Sequence, residues 1–240
     1  MPNKKNYDYM DNYSDGLARV ALNKKHGYID ETGKEIIPLI YDLASDFKKG
    51  LARVNIDGKW GFIDKTGNVK IPLIYDYVEN FCEENAIAQI GKKYGLINKE
   101  GKEVIPFEYD DANHFSDGLA GMELNGKWGF VNGEGKTVIP FKYDCVGPFS
   151  EGLAYVDLDR KVGFIDKSGK MVIPLIYDFA DIFQEGLARV EIDWEYGFID
   201  KTGKEIIPLM YEYADNFSGG LASVRLDDEW ITIDKNGNIK

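Results

Sequence analysis

The stretch Gly58-Lys59-Trp60-Gly61-Phe62-Ile63-Asp64-Lys65-Thr66-Gly67 decides the fold, because near copies of it recur along the chain. The copies are spaced by 34 residues without insertion or deletion, and most carry one glycine and one proline at fixed positions. The glycines are Gly27, Gly61, Gly95, Gly129, Gly163 and Gly197. The prolines are Pro38, Pro72, Pro106, Pro140, Pro174 and Pro208. A fixed period of this length is typical of repeat proteins, whose units complete their cores by packing on neighbours.

The period predicts a single array of seven copies over the 240 residues. Their approximate bounds are 1–35, 36–69, 70–103, 104–137, 138–171, 172–205 and 206–240.

Each copy is predicted to contain a β-hairpin and a third strand. In the second copy, Leu51–Ile56 alternates in the manner of a strand. Asp57-Gly58 suits a type I′ turn, in which both central residues need a positive φ, and Lys59–Asp64 is the return strand. The third strand runs over Val69–Tyr75, and Pro72 places it at a sheet edge or a bulge because proline cannot donate to the ladder.

Two connecting segments complete the copy. Asp64-Lys65-Thr66-Gly67 has the Asp and Gly typical of a four-residue turn. Residues 76–84 follow Tyr75 with Val78 and Phe81 at intervals of three residues, which favours a single helical turn or an irregular loop. No helix longer than a turn or two is expected.

One face of the hairpin is predicted to be core. Cross-strand pairing places Ala52, Val54 and Ile56 beside Gly61 and Ile63, and this apolar set recurs almost unchanged between copies. The glycine is expected to let a neighbouring backbone or ring approach closely. An alanine at Ile63 is therefore expected to cost roughly 2–5 kcal/mol of stability.

The opposite face carries an aromatic row beside positions that vary between copies, and the row consists of Trp60, Tyr94, Trp128, Tyr196 and Trp230. Arg53 lies opposite Phe62, and Asn55 lies opposite Trp60; an alanine at Asn55 is expected to cost under about 0.5 kcal/mol. The candidate binding residues on this face are Arg53, Trp60, Tyr94, Trp128, Tyr155, Arg189 and Tyr196. One interpretation is that the rings stack between copies and the arginines cover them by cation–π contact. The other is a ligand-binding stripe, since Trp, Tyr and Arg dominate binding hot spots.

The second interpretation makes a specific prediction. A partner would bind this face around Trp60, Tyr94 and Trp128, beside the third copy, which departs furthest from the others. Replacing Arg53 by alanine would then weaken binding and leave the melting temperature nearly unchanged.

Composition restricts the partners. The formal net charge is −12, so the field of the chain repels phosphate backbones and anionic lipid surfaces, and neither nucleic acid nor membrane is an expected partner. The first residues contain no apolar stretch of the kind found in signal peptides, and a cytoplasmic location is expected.

No cofactor, metal or catalytic group is predicted. The sequence contains no GxSxG motif, no HExxH motif and no Gly-rich phosphate loop that opens a helix. The acidic residues fall at phases shared by several copies, whereas a catalytic pair should break the repeat. The carboxylates that follow the conserved tyrosine are interpreted as turn caps rather than calcium ligands, because calcium needs clustered acids. They are Asp42, Asp76, Asp110, Asp144, Asp178 and Glu212.

Residues 58–67, followed by Ile71-Pro72 and Tyr75-Asp76, resemble the WG repeat, also called the KWG repeat, which is seen mainly in bacterial proteins. The resemblance covers nearly the whole chain. It implies a non-catalytic recognition module of undefined ligand and brings no catalytic residues.

The expected fold is all-β, an open superhelical stack of three-stranded units, with a closed seven-bladed propeller as the alternative. The expected function is a scaffold for protein–protein recognition, with an unidentified protein or peptide partner. The alternative is a carbohydrate- or cell-wall-binding module that uses the aromatic row.

Overall fold

The computed structural model describes residues 7–240, which are all-β and contain no helix. No segment of these residues forms a helix that could span a membrane. The chain forms two compact units, Met1–Glu108 and Tyr109–Lys240, and each is described by itself.

The first unit contains three four-stranded sheets, one for each successive copy. The first sheet consists of β1 (Tyr9–Met10), β2 (Leu17–Leu22), β3 (Lys25–Asp30) and β4 (Glu35–Tyr41). The second consists of β5 (Leu43–Ala44), β6 (Leu51–Ile56), β7 (Lys59–Asp64) and β8 (Val69–Tyr75). The third consists of β9 (Tyr77–Val78), β10 (Asn85–Ile90), β11 (Lys93–Asn98) and β12 (Glu103–Tyr109).

The second unit continues the same pattern through four sheets. The fourth sheet consists of β13 (Asp111–Ala112), β14 (Leu119–Leu124), β15 (Lys127–Asn132) and β16 (Thr137–Tyr143). The fifth consists of β17 (Cys145–Val146), β18 (Leu153–Leu158), β19 (Lys161–Asp166) and β20 (Met171–Tyr177). The sixth consists of β21 (Phe179–Ala180), β22 (Leu187–Ile192), β23 (Glu195–Asp200) and β24 (Glu205–Tyr211). The seventh has three strands, β25 (Tyr213–Ala214), β26 (Leu221–Leu226) and β27 (Glu229–Asp234).

In every sheet, strands adjacent in sequence are adjacent in space. The tandem array of antiparallel units and its three predicted strands per copy are confirmed. The structure adds a fourth, two-residue strand that precedes the hairpin, such as Tyr77–Val78, which pairs with Gln89 and Ala88. The sequence pattern assigned this segment to a helical turn or loop, because two residues are too few to show alternation.

Both predicted turns are present. Asp57 and Gly58 have φ angles of 50° and 77°, as a type I′ turn requires. In the four-residue turn, the Gly67 N–H donates to the Asp64 carbonyl at 2.9 Å. The Asp64 carboxylate accepts from the Thr66 N–H at 2.9 Å and holds the turn closed.

The repeated glycine faces the bulge that forms around the repeated proline. In the second sheet, Trp60 pairs with Tyr75 and Phe62 pairs with Ile71, so two extra residues bulge out of the edge strand around Pro72. A Cβ on Gly61 would lie 2.5 Å from the Ile71 carbonyl oxygen. The bulge therefore occupies the space that any larger side chain at this position would need, as predicted.

The core runs between neighbouring sheets. The face of the second sheet that carries Val54 and Ile63 packs against Tyr28 and Ile37 of the first sheet, and all four side chains are fully buried. This confirms the predicted core face.

The opposite face is also buried. Phe62 and Tyr75 pack against Val78 and Ala88 of the third sheet. Asn55, for which the sequence predicted a substitution cost under about 0.5 kcal/mol, is only 4% exposed, so its side chain does not lie on the exposed face that this prediction assumed. The physical reason is that a central sheet is covered on both faces by its neighbours in the array.

Candidate functional site

Arg53 and Trp60 meet at the junction of the second and third sheets. The Arg53 Nη1 donates to the Val78 carbonyl at 2.8 Å, and the guanidinium carbon lies 5.2 Å from the Trp60 ring centroid. Trp60 is half-buried and packs against the apolar cluster around Val78. This pair joins two sheets, so it is not an open binding stripe.

The variation at the Arg53 position has packing counterparts. In the fourth sheet Gly121 stands at this position, and the Asn113 Nδ2 donates instead to the Val146 carbonyl at 2.7 Å. In the fifth sheet Tyr155 stands there, and its ring covers Gly147 so closely that a Cβ on that glycine would overlap it. At Gly121 and Tyr155, the variation that could reflect ligand specificity is thus matched by a local packing change.

The remaining predicted residues are distributed between the two units. Tyr94 lies half-buried on β11 of the first unit. Trp128 is half-buried on β15 of the second unit, where it packs on the cluster around Val146 and Phe149. The structure brings Arg53 to Trp60 and Arg189 to Tyr196. Tyr155 packs on the apolar cluster that contains Phe183.

Four rings form a continuous row across the sixth and seventh sheets, and we call it the aromatic ladder. It consists of Phe179, Tyr196, Tyr213 and Trp230, whose successive ring centroids are 6.4, 5.8 and 5.6 Å apart. Trp230 is 59% exposed and Tyr213 is 41% exposed, so the ladder opens to solvent at its seventh-sheet end.

Arg189 contacts three of the four rings of the aromatic ladder. Its guanidinium carbon lies 5.2 to 5.6 Å from the ring centroids of Phe179, Tyr196 and Tyr213. The Arg189 Nη2 pairs with the Asp181 Oδ2 at 3.0 Å, and its Nη1 donates to the Ala214 carbonyl of the next sheet. One arginine therefore holds three rings, a carboxylate and a neighbouring strand.

A solvent-open cavity of about 450 Å³ lies at the seventh-sheet end of the ladder. It is lined by Glu212, Tyr213, Asp215, Arg225 and Trp230. The Arg225 Nε lies 3.3 Å from the Glu212 Oε2, and its Nη2 pairs with Asp228. The cavity therefore combines two exposed rings with two carboxylates and one guanidinium that is already paired.

Three exposed aromatic residues were missed as candidate site residues. Phe179 and Tyr213 begin the two-residue strands, and the recurrence of apolar residues at this phase, as in Leu43, was the available signal. Trp194 lies in the turn between β22 and β23 with a φ of 69° and is 83% exposed. A large ring at a left-handed turn position is uncommon, and this residue type could have been singled out from the sequence.

The carboxylates after the conserved tyrosine act as caps. The Asp42 Oδ2 accepts from the Asp57 N–H at 2.9 Å, and its Oδ1 pairs with Lys25 Nζ at 2.5 Å. The Lys25 ammonium and the Asp57 N–H lower the pKa of Asp42. Asp144 and Asp178 show the same arrangement, so the predicted capping role is confirmed. Residues 7–240 contain no group of three or more His, Cys, Asp or Glu placed to hold a metal ion.

The model of the WG containing repeat matches the chain seven times, over residues 4–25, 27–60, 60–94, 94–128, 128–161, 163–193 and 196–230. The chain belongs to the WG repeat family. The WG array has no sequence match among curated proteins.

Solved structures resemble the WG array at low sequence identity, and those with a TM-score of 0.50 share its fold. Kluyveromyces lactis Hsv2p is 10% identical, with 95% of this chain and 93% of that chain covered and a TM-score of 0.50. The dihydro-heme d1 dehydrogenase NirN is 13% identical, with 98% and 65% covered and a TM-score of 0.50. PorZ of Porphyromonas gingivalis is 10% identical, with 98% and 37% covered and a TM-score of 0.41. The WG array thus spans about a third of PorZ and two thirds of NirN.

Proposed function

We propose that this WG array is a non-catalytic scaffold that binds a protein or peptide partner through the aromatic ladder and the adjacent Trp194. The observation that carries the proposal is the exposure of Trp194 and Trp230, at 83% and 59%, which are the two most exposed aromatic side chains among residues 7–240. Exposed Trp and Tyr beside arginine are the residue types that supply most binding energy in protein interfaces.

The ring geometry favours a protein partner over a carbohydrate. Tyr196, Tyr213 and Trp230 pack edge to face or tilted, with interplanar angles of 53° and 69° between successive rings. A row of sugars would need ring faces that are free for stacking, whereas these faces are partly covered by the neighbouring ring. A single side chain of a partner needs only the uncovered part of one ring, and Tyr213 and Trp230 are both exposed.

The test compares capture by the immobilised wild type and by the double variant Trp194→Ala/Trp230→Ala. A protein captured by the wild type is identified, purified and titrated against both forms. We expect the double variant to bind at least about five-fold more weakly, equivalent to about 1 kcal/mol. Ile239→Ala is the matched control, because Ile239 is exposed in the same unit and outside the ladder.

Equal affinity of the double variant and the wild type for every purified partner would contradict the proposal. Binding of purified oligosaccharides in the absence of any protein partner would support the carbohydrate alternative instead.

A further inference from the structure

The seventh sheet keeps the rings of the sixth but lacks its arginine. Tyr213 and Trp230 stand at the positions of Phe179 and Tyr196, one period later. At the position of Arg189 the seventh copy has Ser223, which is half-buried on β26. The cavity of about 450 Å³ borders the two retained rings.

The carboxylate partner of the arginine is also retained. Asp181 pairs with Arg189 in the sixth sheet, and the equivalent Asp11 pairs with Arg19 in the first. In the seventh copy this position is Asp215. The Asp215 side chain is exposed and makes no hydrogen bond or ion pair within residues 7–240.

The seventh copy also has a smaller side chain than the sixth at a second position of this face. Thr232 stands where the sixth copy has the buried ring of Phe198. The seventh sheet therefore has smaller side chains at two positions that Arg189 and Phe198 fill in the sixth, next to the rings and carboxylate that hold an arginine there.

We propose that this cavity binds an arginine side chain of a partner protein. The guanidinium would lie against Tyr213 and Trp230 and pair with Asp215, as Arg189 lies against its rings and pairs with Asp181. The proposal rests on the proposed protein-binding function and specifies the chemistry of its partner.

The residues that line the cavity favour a positively charged ligand. Glu212 and Asp215 line the cavity, and Arg225, the cation among the lining residues, is already paired with Glu212 and Asp228. Arginine fits better than lysine, because a planar guanidinium can stack on a ring and pair with a carboxylate at the same time. The chain itself uses arginine for this purpose at Arg19 and Arg189.

The probe is the blocked peptide Gly-Arg-Gly, with the uncharged isostere Gly-citrulline-Gly as its control. Binding is followed by the Trp230 indole N–H resonance of the full chain. We expect a saturable shift with the arginine peptide at a dissociation constant on the order of 1 mM, typical of weak single-side-chain binding, and no saturable shift with the citrulline peptide.

Two variants locate the site. Asp215→Asn should weaken peptide binding at least five-fold, whereas Asp227→Asn, the same charge change at a turn residue that does not line the cavity, should not. Ser223→Arg should supply the missing side chain within the chain, abolish the peptide response and leave the melting temperature equal or higher.

The proposal is overturned if the arginine and citrulline peptides give the same response, or if Ser223→Arg still binds the arginine peptide. A partner whose binding depends on Trp194 and Trp230 but tolerates Ser223→Arg would refute the arginine cavity and leave the proposed function standing. If the arginine peptide binds saturably but no protein partner depends on Trp194 and Trp230, the arginine-binding proposal stands and the proposed function is refuted.

Discussion

At the scale of single residues, the glycine under the proline bulge sets the strictest requirement. A Cβ on Gly61 would meet the Ile71 and Pro72 carbonyl oxygens at 2.5 and 2.7 Å, and backbone atoms cannot move aside as a flexible side chain can. The seventh copy has Ile231 at this position, and within residues 7–240 no proline-bearing strand pairs with β27. The glycine and the bulge are therefore present or absent together.

Gly61→Ala is accordingly expected to lower the free energy of unfolding by about 2–3 kcal/mol through overpacking. Gly58→Asn is the control, because that turn position needs only a positive φ, which asparagine tolerates. Its cost should stay below about 1 kcal/mol in the same urea titration. Similar costs for the two variants would show that the close approach is not limiting.

His26 replaces the ring found in other copies and predicts a pH dependence. Burial, and next the nearby Arg19 charge, lower the pKa of His26 in the folded state, and its Nδ1 has no hydrogen-bond partner among the described residues. The unfolded state therefore binds the proton more readily, so stability falls as the pH drops below the ordinary histidine value of about 6.5. His26→Tyr should lose less stability than the wild type between pH 7.5 and 5.5 in thermal melts. Equal losses would contradict this assignment.

At the scale of the element, several neighbouring sheets within a unit are joined by a polar side chain that reaches a backbone carbonyl. Arg53 makes this link from the second sheet to Val78 of the third. The sequence predicted a nearly unchanged melting temperature for Arg53→Ala, whereas this contact leads us to expect a lower one, because the substitution removes a hydrogen bond at a half-buried junction.

We expect Arg53→Ala to cost about 1–3 kcal/mol, the range for leaving a buried acceptor without its donor. Lys48→Ala, at an exposed position of the same sheet, should change stability by less than about 0.5 kcal/mol. Chemical denaturation of both variants checks this, and an unchanged midpoint for Arg53→Ala would show that the link is dispensable.

The period and turn chemistry were sufficient to predict the hairpin, the bulged third strand and the glycine at its centre. The two-residue strand was not predictable, because Tyr77–Val78 shows no alternation and pairs only through backbone groups. Two of the four rings of the aromatic ladder were predicted. Tyr196 and Trp230 belong to the aromatic row that the sequence shows, whereas Phe179 and Tyr213 lie on two-residue strands, where the sequence predicted a helical turn or a loop. The cavity beside Asp215 required the structure, because only contacts show that Arg189 pairs with Asp181.

At the scale of the molecule, each core is shared by two successive copies within a unit. Ile63 of the second sheet packs with Tyr28 and Ile37 of the first, and it is fully buried. An alanine at Ile63 would therefore remove contacts from both sheets, and both sheets should be destabilised.

Ile63→Ala should lower stability by about 2–5 kcal/mol and increase hydrogen exchange in β3 and β4 as well as in the second sheet. Ile90→Ala, at an isoleucine that is 40% exposed, is the matched control and should cost less than about 1 kcal/mol. Exchange confined to the second sheet would contradict the shared core.

Trp60 and Trp128 are packed between sheets, whereas Trp230, at the same hairpin position, is exposed at the proposed binding surface on the sixth and seventh sheets. The chain contains four tryptophans, and they divide between these environments: Trp60 and Trp128 are half-buried, while Trp194 and Trp230 are exposed. Fluorine NMR of 5-fluorotryptophan-labelled protein with a soluble paramagnetic agent reports the solvent access of all four at once. We predict strong broadening of the Trp194 and Trp230 resonances and weak broadening of those of Trp60 and Trp128, and equal broadening of all four would contradict the account.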